Sequence, residues 1–220
     1  MNTPVSQHPG ERAQDRVARL VAKPAFWLVL VGGIFLWAIG WSLRTHLPAP
    51  LPVLADVPRF RLTDQGGRPF GSLELDGRAW VASFIFTRCP TVCPRVTSKM
   101  ARIQGRTRQL APAFHLVTFS VDPEFDTPER LDAYARAHRA SPRLWTFLTG
   151  PEPAVKQAVV DGMKIALERP PPGGAEGVLH GSALVLVDPR GRIRGYYDPE
   201  DDAAVDRLVR DAGLLVNRGG

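Results

Sequence analysis

The longest uninterrupted apolar stretch is residues 25–43 (AFWLVLVGGIFLWAIGWSL), uncharged and flanked by Lys23 and Arg44. At about 1.5 Å rise per residue, about 20 helical residues cross a hydrocarbon core of about 30 Å. Trp27 and Trp41 stand near its two ends, where an aromatic belt lies. With 23 residues ahead of it, the stretch fits an uncleaved anchor over 24–43. A cleavable signal has an apolar region of about 7–15 residues behind a short leader.

Beyond the anchor the pattern changes to short runs. Residues 47–58 (LPAPLPVLADVP) hold four prolines and suit a semi-rigid, extended linker. Arg59–Thr63 alternates and meets the turn signal Asp64-Gln65-Gly66-Gly67, which predicts a hairpin with Ser72–Leu75. Trp80–Phe86 (WVASFIF) and His115–Val121 (HLVTFSV) are continuous apolar runs of strand length, the pattern of central strands buried on both faces. Helices are expected from about Pro94 to Leu110, from the cap pair Thr127-Pro128 to about His138, over Glu152–Asp161 and over Ala203–Leu215. Leu144–Leu148 reads as a short strand, residues 170–177 (PPPGGAEG) as a loop, and Leu184–Val187 with Arg192–Tyr197 as a hairpin around Asp188-Pro189-Arg190-Gly191. Strands alternating with helices, then a hairpin and a terminal helix, predict an α/β domain whose sheet has at least one antiparallel edge. No internal repeat is evident.

Composition narrows the classes. The 220 residues include 44% apolar, 23% charged and two cysteines, which excludes a disordered or disulfide-dense chain, and only one stretch could span a bilayer. The net charge, 28 − 22 = +6, divides into +2 over residues 1–23 and +4 over 44–220. A pI near 9.9 invites a nucleic-acid reading, but no basic run interleaves with aromatics, so no nucleic-acid partner is expected. Arg12, Arg16, Arg19 and Lys23 lie in the 23 residues before the span, against Arg44, Arg59 and Arg61 in the 23 after it. The positive-inside rule then places the N-terminus in the cytoplasm and the domain outside. Glu11 and Asp15 argue against an acid-poor mitochondrial transit peptide, and Arg outnumbers Lys 24 to 4, as in GC-rich bacterial genomes. The expected location is the bacterial inner membrane with a periplasmic domain, where a disulfide can persist.

The candidate chemistry sits at one strand-to-helix junction. In Arg88-Cys89-Pro90-Thr91-Val92-Cys93-Pro94 both cysteines follow the first buried strand, and ligands of open α/β sheets gather at such strand ends. Helix-terminal N–H groups, Arg88 and Arg95 would favour the thiolate there. Each cysteine precedes a proline, so residues 89–93 are expected as a loop entering a helix near Pro94. The pair could hold one soft metal ion, close a disulfide, or serve only as a structural crosslink, which a five-residue ring would make weak. His180 follows the 170–177 loop and precedes a strand; it is either a packing residue or a ligand able to move away. Two thiolates and one imidazole form a soft three-coordinate set suited to Cu(I). His8, His46, His115 and His138 look unremarkable, and Met1, Met100 and Met163 are scattered.

These residues resemble the Sco/SenC family of membrane-anchored copper proteins serving cytochrome c oxidase, from about Phe60 to about Leu215. The resemblance is carried by Phe86–Pro94 (FTRCPTVCP), by Ser120–Glu129 (SVDPEFDTPE), and by His180 ahead of Leu184–Pro189 (LVLVDP). It implies a thioredoxin-like fold, a central mixed sheet with flanking helices, behind a single transmembrane helix. It also implies a copper site, Cu(I) or Cu(II), made by Cys89, Cys93 and His180. Many members carry an aspartate before this histidine and a small hydroxyl residue after it, where Leu179 and Gly181 stand here. Asp122, at the end of a central strand, either joins the second shell or caps the turn at Pro123. The expected layout is a cytoplasmic tail 1–23, anchor 24–43, linker 44–58 and copper-binding domain 59–220.

The function so implied is that of a carrier rather than an enzyme: copper delivery to the CuA centre of the oxidase, with the copper-site subunit as client and a periplasmic copper donor upstream. The alternative is a thiol–disulfide oxidoreductase that reduces the client's cysteines, Cys89 attacking and Cys93 resolving.

Overall fold

The computed structural model describes residues 21–46, 50–165 and 183–218, in two units that divide between Pro50 and Leu51. The first unit is one helix, α1 (Pro24–His46). Its window Pro24–Ser42, 19 residues of mean hydropathy 1.8, is long and apolar enough to cross a membrane. Leu28, Val29, Leu36 and Trp37 on it are exposed, the surface a bilayer would cover.

The second unit is built on an eight-stranded mixed sheet: β1 (Ala55–Asp56), β2 (Arg61–Asp64), β3 (Pro69–Gly71), β4 (Ala79–Ile85), β5 (Phe114–Ser120), β6 (Trp145–Thr149), β7 (Leu184–Val187) and β8 (Arg192–Tyr197). Their order across the sheet is β1-β8-β7-β4-β5-β6-β2-β3. The parallel core β4-β5-β6 is extended by antiparallel β7 on one side and antiparallel β2 on the other. Every residue of β4, β5 and β6 is buried, which is why their sequences read as apolar runs rather than alternations. Alternate residues still divide between the two faces. Val81 and Ile85 pack under Val96, Met100 and Ile103 of α3 (Val92–Thr107), Leu131 of α4 (Pro128–Ala137) and Leu208 of α6 (Asp202–Arg218). Trp80, Ala82 and Phe84 pack on the other face with Val155, Val159 and Met163, around α5 (Glu152–Lys156). The basic stripe Lys99, Arg102 and Arg106 of α3 is met by Asp202 and Asp206 of α6 at 2.5–2.9 Å.

Four expectations need correction. Ser72–Leu75 is a short helix, α2, and the strand returning to β2 is β3. The chain leaves the sheet at Gly71, where a Cβ would lie 2.1 Å from the Phe60 carbonyl oxygen, and Glu74 then accepts from the Gly71 N–H. The helix expected over Glu152–Asp161 keeps α-geometry only to Lys156 and widens into a π-turn over Gln157–Gly162, where Gly162 packs closely against Pro58.

The stretch expected as linker over 44–58 is part of the domain from Leu51 onward. Its prolines lack N–H groups, but Leu54 and Val57 keep theirs and donate to Ile193 and Gly191 at 2.9 and 2.8 Å. Arg194, 7% exposed, donates to the carbonyls of Leu51 and Pro52 and to Asp188. Asp188 also takes the backbone N–H groups of Arg190 and Arg192. Burial raises its carboxyl, and these hydrogen bonds outweigh burial and hold it below the usual range. The helix expected from Pro94 begins two residues earlier, at Val92, with consequences for the cysteines.

Candidate metal centre

β4 ends at Ile85, in the middle of the sheet, and the chain turns through Phe86–Thr91 into α3. Cys89 lies in that turn, half-buried, and Cys93 is 2% exposed in the first turn of the helix, both as free thiols. Pro94 does not prevent an earlier start, because the first helical N–H groups have no intrahelical partner to lose. The Cys93 N–H, free for the same reason, donates to the Cys89 sulfur at 3.4 Å.

The two thiols stand in opposite environments. Burial raises Cys89, but the backbone N–H groups of Cys93, Thr91 and Val92 and the Cys93 S–H outweigh it, so its pKa falls below the ordinary 9.0. Burial pushes Cys93 up to about 12, with the Cys89 sulfur and the Asp126 charge adding to the rise against one N–H, that of Phe86. Arg88 and Arg95 do not supply the stabilisation expected of them. Arg88 Nε is taken by Asp122 Oδ2 at 2.6 Å, and Arg95 by Glu200 at 3.3 Å. The lowering at Cys89 therefore comes chiefly from the N–H groups of the helix terminus.

Asp122 lies two residues beyond the end of β5, and its carboxylate is occupied by Arg88, the residue before Cys89. Its carbonyl accepts from Phe125 and Asp126, so it also closes the turn at Pro123. His180 lies outside the described residues, as does the 170–177 loop. Among the described residues no third Cys, His, Asp or Glu joins Cys89 and Cys93 in a ligand cluster.

Two side chains at the site were not singled out in the sequence. Asp126 is fully buried beneath the cysteine turn and accepts from Thr87 and Ser120. Tyr134 bonds Thr97 Oγ1 at 2.9 Å, and Thr97 donates to the Cys93 carbonyl at 2.8 Å. Tyr134 is spaced seven residues beyond the cap Thr127, on the face of α4 that carries Leu131, and that periodicity was the available signal.

The pair can act in two ways. Two thiols in one turn, with the Cys93 N–H on the Cys89 sulfur, form a soft donor pair for one metal ion, or close a disulfide by losing two electrons and two protons.

The SCO1/SenC family model matches residues 53–211. The chain belongs to that family. A SCO1 protein homolog of Bacillus subtilis (strain 168) is 30% identical over 161 residues, 73% of this chain and 82% of the relative. BsSco, described as a member of the Sco family of cytochrome c oxidase assembly proteins with a disulfide switch, superposes with a TM-score of 0.68 at 29% identity, over 77% of this chain and 98% of that one. Yeast Sco1 with copper bound superposes with a TM-score of 0.58 at 26% identity, over 72% and 88%. The thioredoxin-like fold expected from the sequence is the fold of this SCO1/SenC domain.

Proposed function

We propose that this SCO1/SenC protein is a membrane-anchored copper carrier, holding copper through Cys89 and Cys93 with His180 as third donor and passing it to the CuA centre of cytochrome c oxidase. The observation that carries the reading is the pair itself: a half-buried Cys89 whose pKa is lowered, accepting the N–H of a buried Cys93 at 3.4 Å. Copper is the cargo, and a soft thiolate pair suits Cu(I). The copper bound to yeast Sco1 and the oxidase-assembly role of BsSco support cargo and client. A periplasmic copper donor would load the site, and Asp122, through Arg88, would hold the turn beside it.

The asymmetry of the two thiols also favours the second reading, a thiol–disulfide oxidoreductase in which Cys89 attacks and Cys93 resolves. A Cu(I) titration of the reduced, detergent-solubilised chain against a competing chelator separates them. The carrier reading expects one-to-one binding, weakened at least about tenfold in His180→Ala by loss of one ligand. Absence of binding would leave the oxidoreductase, and an unchanged His180→Ala affinity would remove His180 from the site.

In this reading residues 1–23 are cytoplasmic, the anchor crosses the bacterial inner membrane, and the domain works in the periplasm. Protease added to spheroplasts should then digest the domain, and a protected domain would reverse the topology.

A further inference from the structure

Asp126 is fully buried, yet among the described residues no cation pairs with it. An ionised carboxylate removed from water is costly unless hydrogen bonds replace its hydration. Here the replacements come from Thr87 N–H at 3.1 Å, from the Thr87 hydroxyl, and from the Ser120 hydroxyl at 2.6 Å.

What the carboxylate adds is a place to bond where the sheet runs out. The β4–β5 ladder ends at the bond from Val121 N–H to the Ile85 carbonyl, 2.9 Å. Thr87 is two residues farther on, so by the period of a strand its N–H faces the same side. It meets the Asp126 carboxylate instead of a neighbouring strand. Thr87 is in turn two residues before Cys89, inside the turn closed by the Cys89 N–H donating to the carbonyl of Phe86, the residue before Thr87, at 3.1 Å.

We infer that Asp126 is the positioning residue of the cysteine turn: it extends the β4–β5 ladder by one side chain, fixing Thr87 and through it the separation of the two sulfurs. This rests on Cys89 and Cys93 being the working pair. It is tested without copper, by the equilibrium in which the two thiols of the full chain give two electrons and two protons to oxidised dithiothreitol and close a disulfide.

Asp126→Asn keeps one acceptor for the Thr87 N–H and loses the charged acceptor of the hydroxyls. Thr87→Val removes one of those hydroxyls from the other side. Each is expected to lower the constant for disulfide closure about tenfold, the scale of one hydrogen bond to a charged group. Thr87→Ser, which keeps both bonds, should match the parent, and the double variant should fall no further than the singles. Asp188→Asn, at the far hairpin, is the control for lost stability alone and should leave the constant unchanged. A parental constant in Asp126→Asn, or an equal fall in Asp188→Asn, overturns the assignment. Failure of the parent chain to bind copper would overturn the carrier reading and leave the result on Asp126 standing.

Discussion

At about pH 7.5, a thiol-alkylating reagent should modify Cys89 of the reduced chain at least about tenfold faster than Cys93, because only thiolates react and the stronger nucleophilicity of the higher-pKa thiolate offsets only part of its scarcity. Cys93, at about 12, would be ionised in only about one molecule in 30,000 at that pH. Cys89, held below its ordinary value, is ionised in a far larger fraction. Exposure acts in the same direction, since Cys93 is 2% exposed and Cys89 half-buried. Timed alkylation followed by peptide mass mapping measures both rates in one sample, and comparable rates would sink the assignment. Cys93→Ser should leave Cys89 reactive, because the backbone N–H groups of residues 91–93 remain. For either proposed function the difference sets an order of events. Cargo or partner meets Cys89 first, and Cys93 must release its proton before it can bind or resolve, so loading should release protons.

That site was legible in the sequence to the extent that its chemistry is local. A continuous apolar run can only be a strand covered on both faces or a buried helix segment, and WVASFIF is too short for the latter. A cysteine pair directly after such a run lies at a strand end whatever the rest of the fold does. The hairpin at Asp188–Gly191 was legible for the same reason, since its turn residues hydrogen-bond within five positions.

What was not legible depends on distant partners. Both Asp122 and Asp126 belong to SVDPEFDTP, and nothing local says which one turns inward. That is decided by Thr87, 39 residues earlier, and by the course of β5. Arg88 was read as a neighbour of the thiol because it is adjacent in sequence, but its guanidinium reaches Asp122, 34 residues on. The Pro-rich stretch before the domain was read as a spacer because proline breaks ladders. The two N–H groups of Leu54 and Val57 fall between the prolines, and their acceptors, Ile193 in β8 and Gly191 just before it, lie about 140 residues away by sequence numbering.

His115 read as an unremarkable strand residue, and its expected effect on stability is large. It is 3% exposed, with Nε2 bonded to Thr146 Oγ1 at 2.9 Å, its ring stacked on Phe70, and Nδ1 without a partner. Burial, with the Arg78 charge adding to it, lowers its pKa from 6.5 to about 4. The folded state thus requires the neutral ring, whereas the unfolded chain protonates near 6.5. The folded pKa is the depressed one, so the contribution is fully present above pH 6.5 and is lost as pH falls from 6.5 to about 4. At about 1.4 kcal/mol per unit the loss is about 3 kcal/mol. His115→Phe keeps the stack on Phe70 and removes the titration, so the parent should lose about 3 kcal/mol more than this variant between pH 7 and pH 4. Hydrogen exchange of the β4 and β5 amides in the full chain reports that difference, since these strands open only with the domain. Parallel pH profiles for parent and variant would mean that the ring is already neutral in both states, or solvated on folding, and the buried Nδ1 would then carry no acid sensitivity.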